Sequence, residues 1–255
     1  MPTPVMHLVI ANEILEAGAD SPEIRRYLWG RRGDFLLGSI APDVRTVSGA
    51  SRRETHFFSV RTPNERPSPE ALLARHPQLA RPRELSPALA SFMAGYLSHL
   101  LIDEMWIEDI FRPHFGRRLD YGSFQRRLVL HNVLRAHLDE RDRPRLDEAT
   151  LASLRAVPIA YSLPFASDED LRTWRDLICQ QLAPGASVRT VEIFAQRLGV
   201  PPSTVESLLS SPEVLRNEVL GRLPPGKLAE FRRQAVDRGR QLVEKYLRGG
   251  YQGVV

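Results

Sequence analysis

The residues best suited to chemistry lie in one segment, Phe92-Met93-Ala94-Gly95-Tyr96-Leu97-Ser98-His99-Leu100-Leu101-Ile102-Asp103-Glu104-Met105-Trp106. At 3.6 residues per turn, His99 and Asp103 share a helical stripe with Phe92, Tyr96, Ile102, Trp106, Ile107 and Ile110, so both are aimed into apolar surroundings. A carboxylate buried without a partner costs on the order of several kcal/mol, so Asp103 requires one. A cation shared with His99 is one solution, because an i,i+4 His/carboxylate pair presents two ligands to one point. An internal ion pair, with His99 or with an Arg, is the other. His7 lies on the apolar stripe of the first helix with Ile10, Ala11 and Ile14. His56 precedes Phe57-Phe58, and Asp43 follows Ala41-Pro42, where the proline ends the preceding helix. Core-directed His and Asp residues in separate elements suggest convergence on a metal, although each one alone is also read as an ordinary satisfied core residue.

The elements that must position these groups are helical. Apolar residues recur at helical spacing nearly throughout, and Val/Ile/Thr runs with a two-residue period are absent, which predicts an all-α fold. Ser21-Pro22, Ser68-Pro69 and Ser86-Pro87 read as helix starts, since a serine caps free amides and proline suits the first turn. The predicted helices are 4–18, 21–32, 68–75, 86–112, 120–140, 147–155, 168–183, 187–198, 202–210, 212–221 and 226–247. Between 32 and 68 the reading is of a long, partly regular stretch, of the kind that carries function. All seven His lie before residue 145. This divides the chain into a metal-binding helical domain, 1–145, and a helical extension packed on it, 146–255, the two forming either separate units or one domain.

Composition narrows the classes. The chain has 255 residues, 42% hydrophobic and 26% charged, the balance of a globular protein able to bury its own core. The single Cys179 excludes a disulfide framework and a cysteine-based zinc ribbon, so any metal must be held by His and carboxylate. No apolar run is long enough to span a bilayer, and Met1-Pro2-Thr3-Pro4 lacks a basic-then-apolar leader, so a cytoplasmic location is expected. The net charge of +4 is carried almost wholly by Arg, with lysine only at 227 and 245. Arg is interleaved with Asp and Glu along the chain, which reads as a solvated surface, so no nucleic-acid partner is expected. Pairs such as Arg31-Arg32, Arg52-Arg53 and Arg117-Arg118 have the chemistry to grip a phosphate.

Four pieces in order resemble the zinc-dependent phospholipase C family, which is related to the S1/P1 nucleases: His7 on an early helix, Leu37-Gly38-Ser39-Ile40-Ala41-Pro42-Asp43, His56-Phe57, and Gly95 to Asp103. The resemblance covers about residues 4–140. It implies a multi-helix bundle of the phospholipase C/P1 nuclease type. It also implies that Asp43, His56, His99 and Asp103 form one Zn²⁺ site, with Asp103 able to bridge to a neighbouring ion that His7 also binds. The implied activity is hydrolysis of phosphoric esters by a metal-activated water, with Asp43 orienting or deprotonating that water. A phospholipid head-group ester is the family expectation, and soluble phosphodiesters are equally admissible. The sequence departs from the pattern where further ions would bind. Asp109 stands in place of a histidine six residues after the helical aspartate, and His131 is followed four residues on by Arg135 rather than by a glutamate. His131, among Leu128, Leu130 and Leu134, is the remaining second-site candidate, or else a core histidine. Against the hydrolase stands a non-catalytic helical module in which the same cluster holds a structural metal or only a polar network.

Overall fold

The computed structural model describes residues 1–60, 65–117, 119–183, 185–186 and 190–251. It is all-helical, and no β-strand occurs among the described residues; an isolated bridge joins Leu163 to Ala166. Arg118 of the Arg117-Arg118 pair, and residues 187–189 where a helix start was expected, lie outside the described residues.

The first half folds as α1 (Pro4–Ala17), α2 (Pro22–Gly30), α3 (Arg32–Gly38), α4 (Arg45–Ser48), α5 (Arg52–His56), α6 (Ser68–Arg75), α7 (Pro87–Trp106), α8 (Arg112–Phe115) and α9 (Phe124–Asp142). The second half follows as α10 (Glu148–Arg155), α11 (Asp168–Leu182), α12 (Thr190–Leu198), α13 (Pro202–Leu209), α14 (Pro212–Val214) and α15 (Lys227–Leu247). The serine–proline starts behave as capping chemistry requires: Ser21 and Ser86 accept from the backbone N–H three residues on, ahead of α2 and α7. At the third, the helix begins one residue earlier than a serine cap would place it, with Pro67 in the cap position and Ser68 inside α6.

Several boundaries differ from the periodicity reading, each for a local reason. The expected 86–112 helix is α7, then a π turn over Ile107–Phe111, then α8. The expected 212–221 helix is likewise mostly π turn, over Leu215–Val219, followed by a 3₁₀ turn. Period counting cannot see these widened turns because the side-chain pattern hardly changes. The stretch after residue 32 is more regular than expected: α3, a 3₁₀ turn over Ala41–Val44, α4 and α5.

α7 is the axis of the molecule, buried along nearly its whole length, with α3, α15 and α6 packed around it. α15 also lies on α1, so one continuous core runs from Val5 and Leu8 through Phe92 and Trp106 to Phe231 and Tyr246. The α3–α7 crossing is the closest. A Cβ on Gly38 would overlap the Phe92 carbonyl oxygen, and one on Gly95 would overlap that of Phe35, so glycine is required at both positions.

Candidate metal centre

Five of the residues singled out from sequence converge. α7 contributes His99 and Asp103, α1 contributes His7, the 3₁₀ turn after α3 contributes Asp43, and the last residue of α5 contributes His56. Two sets of donor atoms, His7/His99/Asp103 and Asp43/His56/His99, each lie within 4.8 Å of one another and share His99. Either set can hold a metal ion.

Each imidazole is held by its second nitrogen or by its ring face. His99 Nδ1 lies 2.8 Å from the Ser39 carbonyl oxygen, an arrangement the glycine contacts make possible by bringing the end of α3 onto α7. A carbonyl can only accept, so Nδ1 carries the proton and Nε2 presents its lone pair to the centre. His56 Nδ1 lies 2.9 Å from Thr55 Oγ1, and Thr55 is tied to α7 because the Tyr96 hydroxyl donates to its carbonyl at 2.5 Å. α5 is short and is fixed by a reciprocal cap between Ser51 and Glu54. His7 stacks on His99 with centroids 3.7 Å apart.

His7 Nε2 makes a long hydrogen bond to Asp103, and the remaining central distances suit ligands better than hydrogen bonds. His7 Nε2 lies 3.3 Å from Asp103 Oδ1, His56 Nε2 is 3.4 Å from Asp103 Oδ2 and 3.6 Å from Asp43 Oδ1, and His99 Nε2 is 3.7 Å from Asp103 Oδ2. Two donors at about 2.0–2.1 Å on a tetrahedral ion sit ~3.4 Å apart, close to these values. Nε2 of both His56 and His99 is buried and has no hydrogen-bond partner among the described residues. The lone pair of His99 Nε2 therefore faces carboxylate oxygen with no donor between them. That arrangement is repulsive as it stands and attractive around a cation.

Protonation states agree with this donor set. Burial, reinforced by the charge of His7, pushes the His99 imidazole down to about 3. Burial and the nearby Arg52 charge also lower His56. Burial opposes ionisation of Asp43 and Asp103. It is outweighed at Asp43 by His56 and His99, and at Asp103 by His99, Arg52, His7 and His56, so both carboxyls stay below their ordinary value. Neutral imidazoles facing ionised carboxylates are what a divalent ion binds.

The structure also places groups that the sequence reading left out or read otherwise. Arg52 donates to Asp103 Oδ2 at 2.6 Å and stands over the Phe58 ring at 4.7 Å. Ser39 and Thr55 orient imidazoles, and Tyr96 positions Thr55 as well as filling core. Only a backbone carbonyl marks Ser39, which no side-chain pattern reveals. Asp43 is the member that touches solvent: its side chain is 19% exposed, against 0% for His56 and 2% for Asp103. It lines a cleft with Arg45, Arg52 and Arg135.

His131 stands apart from the cluster. Its Nε2 accepts the Trp106 indole N–H at 3.0 Å, and its ring packs against Phe111 and Phe115. It belongs to neither donor set. An indole N–H is a fixed donor, so the His131 Nε2 lone pair is already engaged, as in a satisfied core histidine. Phe57 likewise faces His76 and Phe165 rather than the centre.

No protein-family profile, no curated protein and no solved structure matches this chain.

Proposed function

We propose that the chain is a metal-dependent hydrolase of phosphoric esters, phospholipase C-like in type, with zinc as its ion. The observation that carries this reading is the set of buried imidazole nitrogens without hydrogen-bond partners facing ionised carboxylates, with partly exposed Asp43 at the edge that opens to solvent. His7, His99 and Asp103, or Asp43, His56 and His99, would hold the ion. Imidazole and carboxylate are zinc ligands, and the depressed basicity of His56 and His99 keeps them in the ligating form at neutral pH. A bound divalent ion supplies Lewis acidity and brings the pKa of a bound water from 15.7 to about 7.

The chain's own groups do the rest. Asp43 is the one carboxylate of the cluster that lines the cleft, so it is placed to orient or deprotonate an attacking water. Arg52, held on Asp103, keeps that carboxylate ionised and puts positive charge beside the position of a phosphoryl oxygen. The partner is a phosphoester, with a phospholipid head group as one candidate. Among the described residues no helix is long and apolar enough to cross a membrane.

Near-complete burial of His7, His56, His99 and Asp103, with Arg52 already paired to the carboxylate, favours a second reading, a non-catalytic module closed around a structural ion. Elemental analysis of the purified protein and of His99→Ala, beside hydrolysis of bis(4-nitrophenyl) phosphate, separates the two. Stoichiometric zinc and turnover, both lost in His99→Ala, support the hydrolase. Zinc without turnover supports the structural ion, and metal in neither protein removes both.

A further inference from the structure

The cleft beside Asp43 gathers Arg45, Arg52, Arg135 and Arg197 from four separate helices. Elsewhere the molecule neutralises many of its arginines directly: Arg126 meets Glu218, Arg145 and Arg232 meet Glu13, Arg240 meets Asp20 and Arg248 meets Glu244. Among the described residues, Arg52 is the one arginine of the cleft that forms such a pair, with Asp103. Among the described residues Arg45, Arg135 and Arg197 have no ion-pair partner. Their hydrogen bonds go to neutral groups, Arg135 to Asn132 Oδ1 at 2.7 Å and Arg197 to Thr46 Oγ1 at 2.9 Å, and Arg135 lies over the Phe194 ring at 4.2 Å; carboxylates act on them only at longer range, Asp139 and Asp43 on Arg135 and Asp43 on Arg45. The Nε atoms of Arg45 and Arg135 are buried without a hydrogen-bond partner among the described residues.

Arg197 repels both Arg45 and Arg135, none of the three is paired directly with a carboxylate among the described residues, and each still offers N–H donors suited to a carboxylate or phosphate. A simple phosphodiester brings one negative charge, which the ion and Arg52 already face. We propose that the cleft receives a second anionic group of the ligand, a carboxylate or phosphate remote from the ester, held by Arg45, Arg135 and Arg197. The proposal rests on the hydrolase reading only in calling that ligand a substrate. It narrows the substrate class to phosphate esters that carry a further negative charge, and it disfavours esters of cationic alcohols.

The test is calorimetric titration of the zinc-loaded full chain with two probes, methyl phosphate and 2-phosphoglycolate, which differ by a carboxylate. The expected result is 2-phosphoglycolate binding about tenfold or more tighter than methyl phosphate. Arg45→Gln and Arg197→Gln should each remove most of that preference and leave methyl phosphate affinity within about twofold. Arg197 is exposed, so its variant does not put the fold at risk. Equal affinity for the two probes, or a preference untouched in both variants, overturns the proposal. Hydrolysis of bis(4-nitrophenyl) phosphate by the same preparations keeps the two ideas apart. Selectivity without hydrolysis leaves an anion receptor and takes away the hydrolase, whereas hydrolysis without selectivity does the reverse.

Discussion

Gly95→Ala tests how the fold positions the centre. Gly95 sits one helical turn before His99, where α7 meets α3, and an added Cβ would overlap the Phe35 carbonyl oxygen and come within 2.9 Å of Ser39 N. A carbon and a carbonyl oxygen rest at about 3.3 Å or more, so the two helices must separate by on the order of 1 Å. Ser39, at the end of α3, moves with that separation, and its carbonyl is the acceptor that holds His99 Nδ1 at 2.8 Å. Overpacking of this kind costs about 1–3 kcal/mol, and loosening the group that orients a metal ligand costs about 10–100-fold in metal affinity. Denaturant unfolding in chelator gives the first quantity, and zinc titration against a competing chromophoric chelator gives the second. Gly30→Ala is the matched control, because a Cβ there meets nothing within 4 Å. If Gly95→Ala unfolds with the wild type and binds zinc equally well, the close α3–α7 approach does not position His99.

Three further outcomes are expected. Chelation should lower the melting temperature by about 5–10 °C when zinc is otherwise present at ~100 times its dissociation constant, since binding then contributes about 2.7 kcal/mol; scanning calorimetry with and without chelator reads this, and coincident melts would argue against a bound ion. Trp106→Phe should cost about 3 kcal/mol, by stranding the buried His131 acceptor and opening core volume, while zinc content stays unchanged; loss of zinc would place His131 at the ion after all. Burial pushes the Asp139 carboxyl from 3.8 up to about 7, against the opposing hydrogen bonds from Thr3 and Thr190 and the charge of Arg135. The folded chain then keeps a proton there that the unfolded chain releases, so stability declines as pH rises from about 4 to 7, by up to ~4 kcal/mol from this group. Asp139→Asn should flatten that slope in denaturant titrations, and parallel profiles for the two proteins would refute the assignment.

What the sequence disclosed and what it withheld divide along a physical line. Helical class and most helix starts follow from periodicity and capping, which are local. The clustering of His7, Asp43, His56, His99 and Asp103 was legible because a buried polar group needs a partner, and helical spacing shows which residues point inward. What supports them was not. The acceptor for His99 is a main-chain carbonyl at Ser39, made available by two glycines whose only signature is the absence of a side chain. His131 has the same inward placement as His99, and only the Trp106 N–H, 25 positions away, distinguishes a satisfied histidine from one still lacking a hydrogen-bond partner.

The arginines show the same limit in reverse. Spread along the chain and mixed with acids, they read as a solvated surface, and for the many that pair with Asp or Glu that reading describes the fold. Charge balance in sequence, however, says nothing about which cations meet which anions in space. Arg45, Arg135 and Arg197 lie up to 152 positions apart, yet they line one cleft and none is paired directly with a carboxylate among the described residues, while the nearby carboxylates Asp43 and Asp103 face imidazoles and Arg52. The folded chain therefore sets an excess of negative charge at its centre next to an excess of positive charge at its mouth. A cation answers the first and an anion the second, and a phosphate ester bound across a metal ion satisfies both at once.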